Sequence, residues 1–482
     1  MGVLNELKPE DVFHYFEEIC GIPRGSYQME GIGDYLVSFA AARNLRCRRD
    51  EAGNVIIWKD ASVGYEAAEP VILQGHMDMV AVTADGVTKN MQKEGLELEV
   101  CGDQIQAKGT SLGGDDGIAL ACALAILDDD SIPHPPLEAV FTANEEVGLQ
   151  GAAALDVSDL KGHILLNMDS EEEGVFTVGC AGGATAVCTL PCEKEETESE
   201  ALKVRVGGLV GGHSGTEIHK GRANANILLG RLLAALREKA VFRLVSMNGG
   251  EKDNAIAVSA EATIALKAED MAGAESYLQD YFGELREEYA STDPDMSLAV
   301  TAETSQKRSV LIQKATDRAV MLLRFAPDGV ESMNQENPDL VQTSLNLGVL
   351  QTESDCVKLT FLARSLKENE KQELCGRIRL LVETIGGKME ITADYPGWEY
   401  QPESRLCKVM KEVYREQRGE EPRIEGVHAG LECGIFASKI PGLDAVSFGP
   451  QMSGIHTAKE KLSISSVQRT WELLLGTLKA LG

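Results

Sequence analysis

The run Val71-Ile72-Leu73-Gln74-Gly75 is apolar at most positions, has the length of a strand, and ends by presenting His76 and Asp78 on one face at the strand period of two. The pattern recurs. Leu137 to Thr142 is an apolar strand that runs out into Glu145 and Glu146, and Leu165-Leu166-Asn167 ends at Asp169. Before these strands, Val12, Phe13, Tyr15 and Phe16, and then Ile32, Tyr35, Leu36 and Phe39, fall at helical spacing, with Pro9 at a first turn. Short strands at 46–49 and 54–59 flank a Glu-Ala-Gly turn. A third, at 103–108, leads into a glycine-rich turn at 109–117 and a helix from Ile118 to Asp128. Pro133-His134-Pro135-Pro136 interrupts the chain before the next strand. Strands alternating with helices predict an α/β domain with a mainly parallel sheet.

The character changes after Cys180. Between about 185 and 395 the strand ends no longer carry His, Asp and Glu clusters, and a similar order of elements passes twice. The first pass is strand 202–207, helix 224–240, strands 241–247 and 256–266, helix 272–290 and strand 296–302. The second is helix 309–325, strands 340–350 and 356–364, helix 368–385 and strand 388–394. Two βαββαβ-like units sharing a middle strand fit this length. After Tyr395-Pro396-Gly397 the first style returns, with a helix at 403–417, a strand from Asp444 to Phe448 and an amphipathic helix at 464–480. We therefore expect residues 1–184 and 396–482 to build one α/β domain, interrupted by an α+β domain at 185–395. Gly182, Gly183 and Gly397 would give the crossings backbone freedom, as a mobile lid requires. At 482 residues the chain exceeds what one core usually supports, which agrees with two domains.

Charge narrows the partners. With 46 basic and 76 acidic residues the formal charge is −30, which repels phosphate backbones and anionic lipid surfaces, so neither nucleic acid nor a membrane is expected as a partner. Eleven cysteines without a Cys-x-x-Cys pair, several in apolar contexts such as Ala121-Cys122-Ala123, read as reduced thiols of a cytoplasmic protein. The first twenty residues are acidic and amphipathic, unlike a secretory leader, and no segment reaches about 18 uninterrupted apolar residues.

The candidate chemistry sits at the strand ends. A neutral imidazole ligates zinc well, and a carboxylate such as Asp78 can hold the second ring nitrogen of His76. Asp115 and Asp116 open a helix, where Asp is commonly an N-cap, but glycines on both sides suit a carboxylate that must reach two cations. Glu145 and Glu146 are adjacent and point to different sides, so one can ligate while the other faces a water. His456, in Ser453-Gly454-Ile455-His456, follows another predicted strand. Each of these is compatible with solvated surface charge. Together, two imidazoles and three carboxylates at strand ends suit two borderline cations. Arg364, in Leu362-Ala363-Arg364-Ser365, is either a solvated strand residue or a bidentate partner for a substrate carboxylate.

These motifs occur in order along nearly the whole chain: Gly75-His76-Met77-Asp78-Met79-Val80, Gly114-Asp115-Asp116-Gly117, Asn144-Glu145-Glu146-Val147-Gly148, Asn167-Met168-Asp169-Ser170, Gly211-Gly212-His213-Ser214-Gly215, Gly221-Arg222-Ala223-Asn224-Ala225-Asn226, His428-Ala429-Gly430-Leu431-Glu432-Cys433-Gly434 and Gly454-Ile455-His456. In this the sequence resembles the M20 metallopeptidases, and within them the aminoacyl-histidine dipeptidase branch. The resemblance implies a zinc-peptidase domain with a lid, and hydrolysis of Xaa-His or other dipeptides by a water bridging two divalent cations. Zinc is expected, with cobalt or manganese as alternatives. Asp115 would bridge both cations, His76 and Asp169 would complete one, and Glu146 and His456 the other. Glu145 would be the general base, Asp78 would orient His76, and His213 of the second domain would approach the scissile carbonyl. Asn254, Arg364 and Glu432 are implied on the substrate side, and a cis peptide is implied between Asp115 and Asp116. The chain departs from common family motifs at Asn254-Ala255-Ile256-Ala257 and at His456-Thr457-Ala458-Lys459-Glu460, which bears on substrate contacts. A deacylase of N-acyl amino acids, a non-catalytic metal- or peptide-binding protein, and a homodimer remain open alternatives. Retention of a base beside the ligands argues against the non-catalytic one.

Overall fold

A computed structural model describes residues 2–482. They form two compact units. One contains the chain up to Cys180 together with Trp398–Gly426 and Leu431–Gly482; the other contains Ala181–Gly397 and Val427–Gly430.

In the first unit an eight-stranded sheet has the apolar run at its centre. Val71–His76 lies between Leu137–Thr142 and Ile164–Asn167, parallel to both, and Asp444–Ser447 adds in parallel to Ile164–Asn167. The first three of these strands are buried at every position, because helices cover both faces of a parallel sheet. Outside this centre the direction changes. Val55–Lys59 and Arg46–Arg49 continue the sheet antiparallel on one side, Val175–Cys180 runs antiparallel on the other, and Arg423–Val427 completes the order. The expected parallel order thus holds for the four central strands and gives way at the flanks. Only Asp50 to Asn54 join the first two strands, too short a connection for a parallel crossover.

Helix Gly114–Asp128 is buried from Gly114 to Leu127, in keeping with its apolar run from Ile118 to Leu127. It packs on Val71–His76 and on helix Glu10–Cys20. Gly75 permits the approach: a Cβ there would come within 2.6 Å of Ala119 Cβ and of Asp116 Oδ2. The peptide between Asp115 and Asp116, at the start of this helix, is cis. A separate four-stranded sheet includes the hairpin of Met452–Ser453 and Lys461–Ser463, the latter paired with Gln104–Ala107. The loop of this hairpin carries His456.

The second unit holds two βαββαβ patterns in one antiparallel sheet. In the first, Lys194–Gly207, Arg243–Gly249, Ala260–Leu266 and Ser297–Leu311 line up in sheet order fourth, first, third, second. The second has the same order in mirror sequence, but its first strand is Gly182–Pro191, which pairs with Cys356–Ser365 and Lys388–Tyr395. No middle strand is shared, contrary to the sequence expectation. The second pattern is split, with the whole first pattern inserted after its opening strand. The halves meet where Asn248 and Gly249 pair with Gln351 and Leu350. Helices Ala225–Leu236, Met271–Glu288, Gln313–Phe325 and Glu368–Thr384 bury their apolar faces in the core of this unit.

Candidate active site

Parallel register sets the site. His76 is in register with Thr142, and Gln74 with Asn167, which is itself level with Ser447. The segments that continue beyond these residues therefore leave the sheet along one edge. His76 ends the central strand, Glu145 and Glu146 follow Thr142, and Asp169 follows Asn167.

The two histidines converge on one carboxylate. His76 Nε2 lies 3.0 Å from Asp115 Oδ1, and His456 Nε2 lies 3.1 Å from Asp115 Oδ2. Glu146 closes the second group at 3.0 Å from His456 Nε2. Around His76 Nε2, Asp169 Oδ1 stands at 3.8 Å and Glu145 Oε2 at 4.0 Å. The Nδ1 atom of His76 is 3.1 Å from the backbone carbonyl of Asp78, which can only accept, so Nδ1 carries a proton and Nε2 is the nitrogen turned to the carboxylates, donating to them when the ring is charged and free to ligate a cation when it is neutral. Asp78 therefore orients His76 mainly through its main chain; its nearest carboxylate oxygen is farther, at 3.7 Å. That carboxylate instead accepts the backbone N–H of Glu145 at 2.9 Å and of Glu146 at 3.3 Å, with Ser26 Oγ at 2.9 Å. It fixes the loop of the two glutamates to the end of the central strand.

Carboxylates thus crowd an imidazole nitrogen at two neighbouring places, an arrangement that draws positive charge, as a ring proton or as a bound cation. Three groups here bring ligand atoms within 4.8 Å of one another: His76 with Asp116 and Asp169, His76 with Glu145 and Glu146, and Asp115 with Glu146 and His456. Nitrogen and oxygen donors in this mixture suit zinc and similar divalent ions. The titration behaviour has the same cause. Burial works against a charged His76, but Asp115, Glu145 and Asp169 outweigh it and raise its pKa; Asp115 and Glu146 raise that of His456 to about 10. Burial and the neighbouring carboxylates push Glu145 and Asp169 well above the carboxylate range. A bound cation would reverse that direction.

The sequence profile of peptidase family M20/M25/M40 matches residues 72–480, which includes every residue of this cluster from His76 to His456. The chain belongs to the M20 peptidase family. It is accordingly a peptidase, a hydrolase of peptide bonds. It is 37% identical over 481 residues to the cytosol non-specific dipeptidase of Escherichia coli strain K12, covering 99% of each chain. Among solved structures it is similar to the aminoacylhistidine dipeptidase from Vibrio alginolyticus, with a TM-score of 0.90, 35% identity, and 99% and 98% of the two chains covered. The aminopeptidase PepT from Bacillus cereus has the same fold at 16% identity and a TM-score of 0.57, over 98% and 99% of the chains.

The substrate-side expectations fare differently within this M20 chain. Glu432 is fully buried in the first unit, where Oε2 accepts from Gln74 Nε2 and Thr142 Oγ1, both at 2.6 Å. Asn167 Nδ2 donates to Gln74 Oε1 at 2.6 Å, so a row of polar groups lies under the strand ends. Glu432 has no surface from which to meet a substrate and supports the cluster from beneath. Burial raises its pKa to about 7. In the second unit, Arg364 is 4% exposed rather than solvated and donates from Nη1 to Tyr395 Oη at 2.8 Å. His213 pairs across a two-residue ladder with Ala255, next to the exposed Asn254, whose carbonyl accepts from Ser214 N at 2.9 Å. His213 Nδ1 accepts from the backbone N–H groups of Gly215 and Thr216 at 3.3 and 3.2 Å, which leaves the ring proton on Nε2.

Sequence reasoning met His428 and Glu460 only inside motifs, without a role of their own, and passed over Arg24 altogether. His428 is 5% exposed and hydrogen-bonds Ser344 Oγ at 2.7 Å, while burial and then Arg364 lower its pKa to about 3. It is neutral in the fold at pH values where the unfolded chain, near 6.5, already binds a proton. Its contribution to stability is therefore complete above pH 6.5 and falls as the pH drops toward 3. We expect thermal melts of His428→Gln to lose less Tm between pH 6.5 and 4 than those of the unaltered protein. Parallel pH profiles would refute this.

Proposed function

We propose that the chain is a metal-dependent dipeptidase, and the observation that carries the proposal is the Asp115 carboxylate facing one histidine with each oxygen. Full-length similarity to two dipeptidases supports a dipeptide as substrate. Two divalent cations, zinc by the donor set, would be held by His76, Asp115 and Asp169 and by Asp115, Glu146 and His456. When bound they supply Lewis-acid polarisation of the scissile carbonyl and acidify the attacking water. Glu145, close to both groups without a hydrogen-bonded imidazole of its own, takes the proton of that water and returns it to the departing amine. Asp78 holds Glu145 in place through its backbone N–H. His213, with its proton on Nε2, donates to the carbonyl oxygen as negative charge develops there. Arg364 serves the substrate carboxylate, exchanging its Tyr395 partner for a bidentate one. Among the described residues no helix is long and apolar enough to cross a membrane. Eleven free cysteines support a reducing, cytoplasmic setting.

The test is hydrolysis of a panel of dipeptides, Xaa-His included, beside N-acyl amino acids. Dipeptide cleavage should vanish on chelation and return with added Zn2+. Cleavage indifferent to chelator would sink the metal assignment, and preference for N-acyl amino acids would make the protein a deacylase.

A further inference from the structure

The loop before Asp115 is held from two sides by buried charges that none of the roles above uses. Glu460 is 3% exposed, and its carboxylate faces four successive backbone N–H groups. Oε2 accepts from Leu112 at 2.8 Å and Gly113 at 2.9 Å, and Oε1 from Gly114 at 2.8 Å, with Asp115 N at 3.4 Å. These amides precede or open helix Gly114–Asp128 and have no carbonyl partner within its first turn. On the opposite side Arg24, 1% exposed, donates through Nη2 to the carbonyl of Gly113, and through Nη1 to the carbonyls of Met77 and Asp78 at 2.9 and 3.0 Å. Gly113 is thus gripped at its N–H by a carboxylate and at its carbonyl by a guanidinium. Its φ of 66° is one that glycine adopts without strain.

The connections explain why this matters to Asp115. Glu460 is four residues beyond His456, in the same hairpin loop, and directly precedes strand Lys461–Ser463. Its grip ties the His456 loop to the Asp115 loop without any ligand between them. Arg24 does the same for the Asp115 and His76 loops. His456 is otherwise the less secured histidine: its side chain is 46% exposed and its backbone has a φ of 59°.

We propose that Glu460 is the positioning residue of the His456 group, setting Asp115 Oδ2, Glu146 and His456 in ligand geometry before any cation binds. This deepens the proposed function and rests on its assignment of two cation sites. A carboxylate is needed for the task. Gln would present one oxygen to amides that now share two, and would turn N–H donors of its own toward the rest.

The experiment is a Zn2+ titration of metal-stripped protein, unaltered and as Glu460→Gln, followed by competition with a chromophoric chelator. The unaltered protein should take up two equivalents. Uptake of none or one by the unaltered protein would overturn the two-site reading itself, whatever the variant does. In Glu460→Gln one equivalent should bind as before, and the other about 10- to 100-fold more weakly, the usual scale for an outer-shell partner. Equal weakening of both, or of neither, would overturn the proposal. Should the variant not fold, hydrogen exchange of the unaltered, metal-free protein decides. A peptide covering Leu112 to Asp115 should already be protected without metal. Exchange at the rate of a free loop, with protection appearing only after Zn2+ is added, would overturn the proposal equally.

Discussion

Glu145→Gln is expected to keep its metal and lose turnover by about 10²- to 10⁴-fold, the scale of a missing general base. The amide preserves the shape of the side chain and cannot accept the proton of water. The substitution is clean because the loop is not positioned by this side chain: Asp78 accepts the backbone N–H groups of both Glu145 and Glu146. The ligand Glu146 therefore stays where it is. His76→Ala should act in the other order, lowering metal content first and activity as a result, because it removes a donor facing Asp115 at 3.0 Å. Metal analysis after dialysis, alongside kcat, separates the two variants. Near-normal kcat in metal-loaded Glu145→Gln would exclude it as the base.

The second large effect is expected at His213, for which Ala substitution should lower kcat by about 10²- to 10³-fold, as removal of an oxyanion donor does. Backbone N–H groups of Gly215 and Thr216 occupy Nδ1 and assign the proton to Nε2. Burial, reinforced by Arg364, lowers the pKa of His213, so it is a neutral donor at pH 7 rather than a cation. Metal content and the melting temperature should not change. An unaltered kcat would leave the second unit with a structural or assembly role.

What could be read in advance was whatever a single stretch of chain carries by itself. Val71 to Gly75 and Leu137 to Thr142 announce buried strands by their mostly apolar character, and the polar residues just past them stand out for that reason. The row of Gln74, Thr142 and Asn167 with Glu432 could not be seen, because it exists only once three strands are in register. Arg24 follows a proline and Glu460 lies in a polar loop; both look like surface charges until the backbone groups they meet are known. Arg364 was expected either in solvent or on a substrate, and it is buried against Tyr395. The second unit was legible as a repeat, but not in its strand order. Gly182–Pro191 lies at the change in character of the chain, and its partners are 165 (Pro191 to Cys356) to 212 (Gly183 to Tyr395) residues downstream.

That strand order also bears on how the chain matures as it leaves the ribosome. Asp444–Ser447 sits inside the first sheet, between Ile164–Asn167 and Val175–Cys180. Those two strands are synthesised together, yet their shared neighbour emerges only after the entire second unit. At roughly 5 to 20 residues per second the interval is on the order of tens of seconds. During it the second unit, apart from Val427–Gly430, is contiguous and can complete its own sheet. The first unit meanwhile waits with open strand edges of the kind that invite mispairing. A nascent chain stalled before Asp444 would thus carry a finished insert within an unfinished host, and that is the stage at which a chaperone holding exposed strands has most to do.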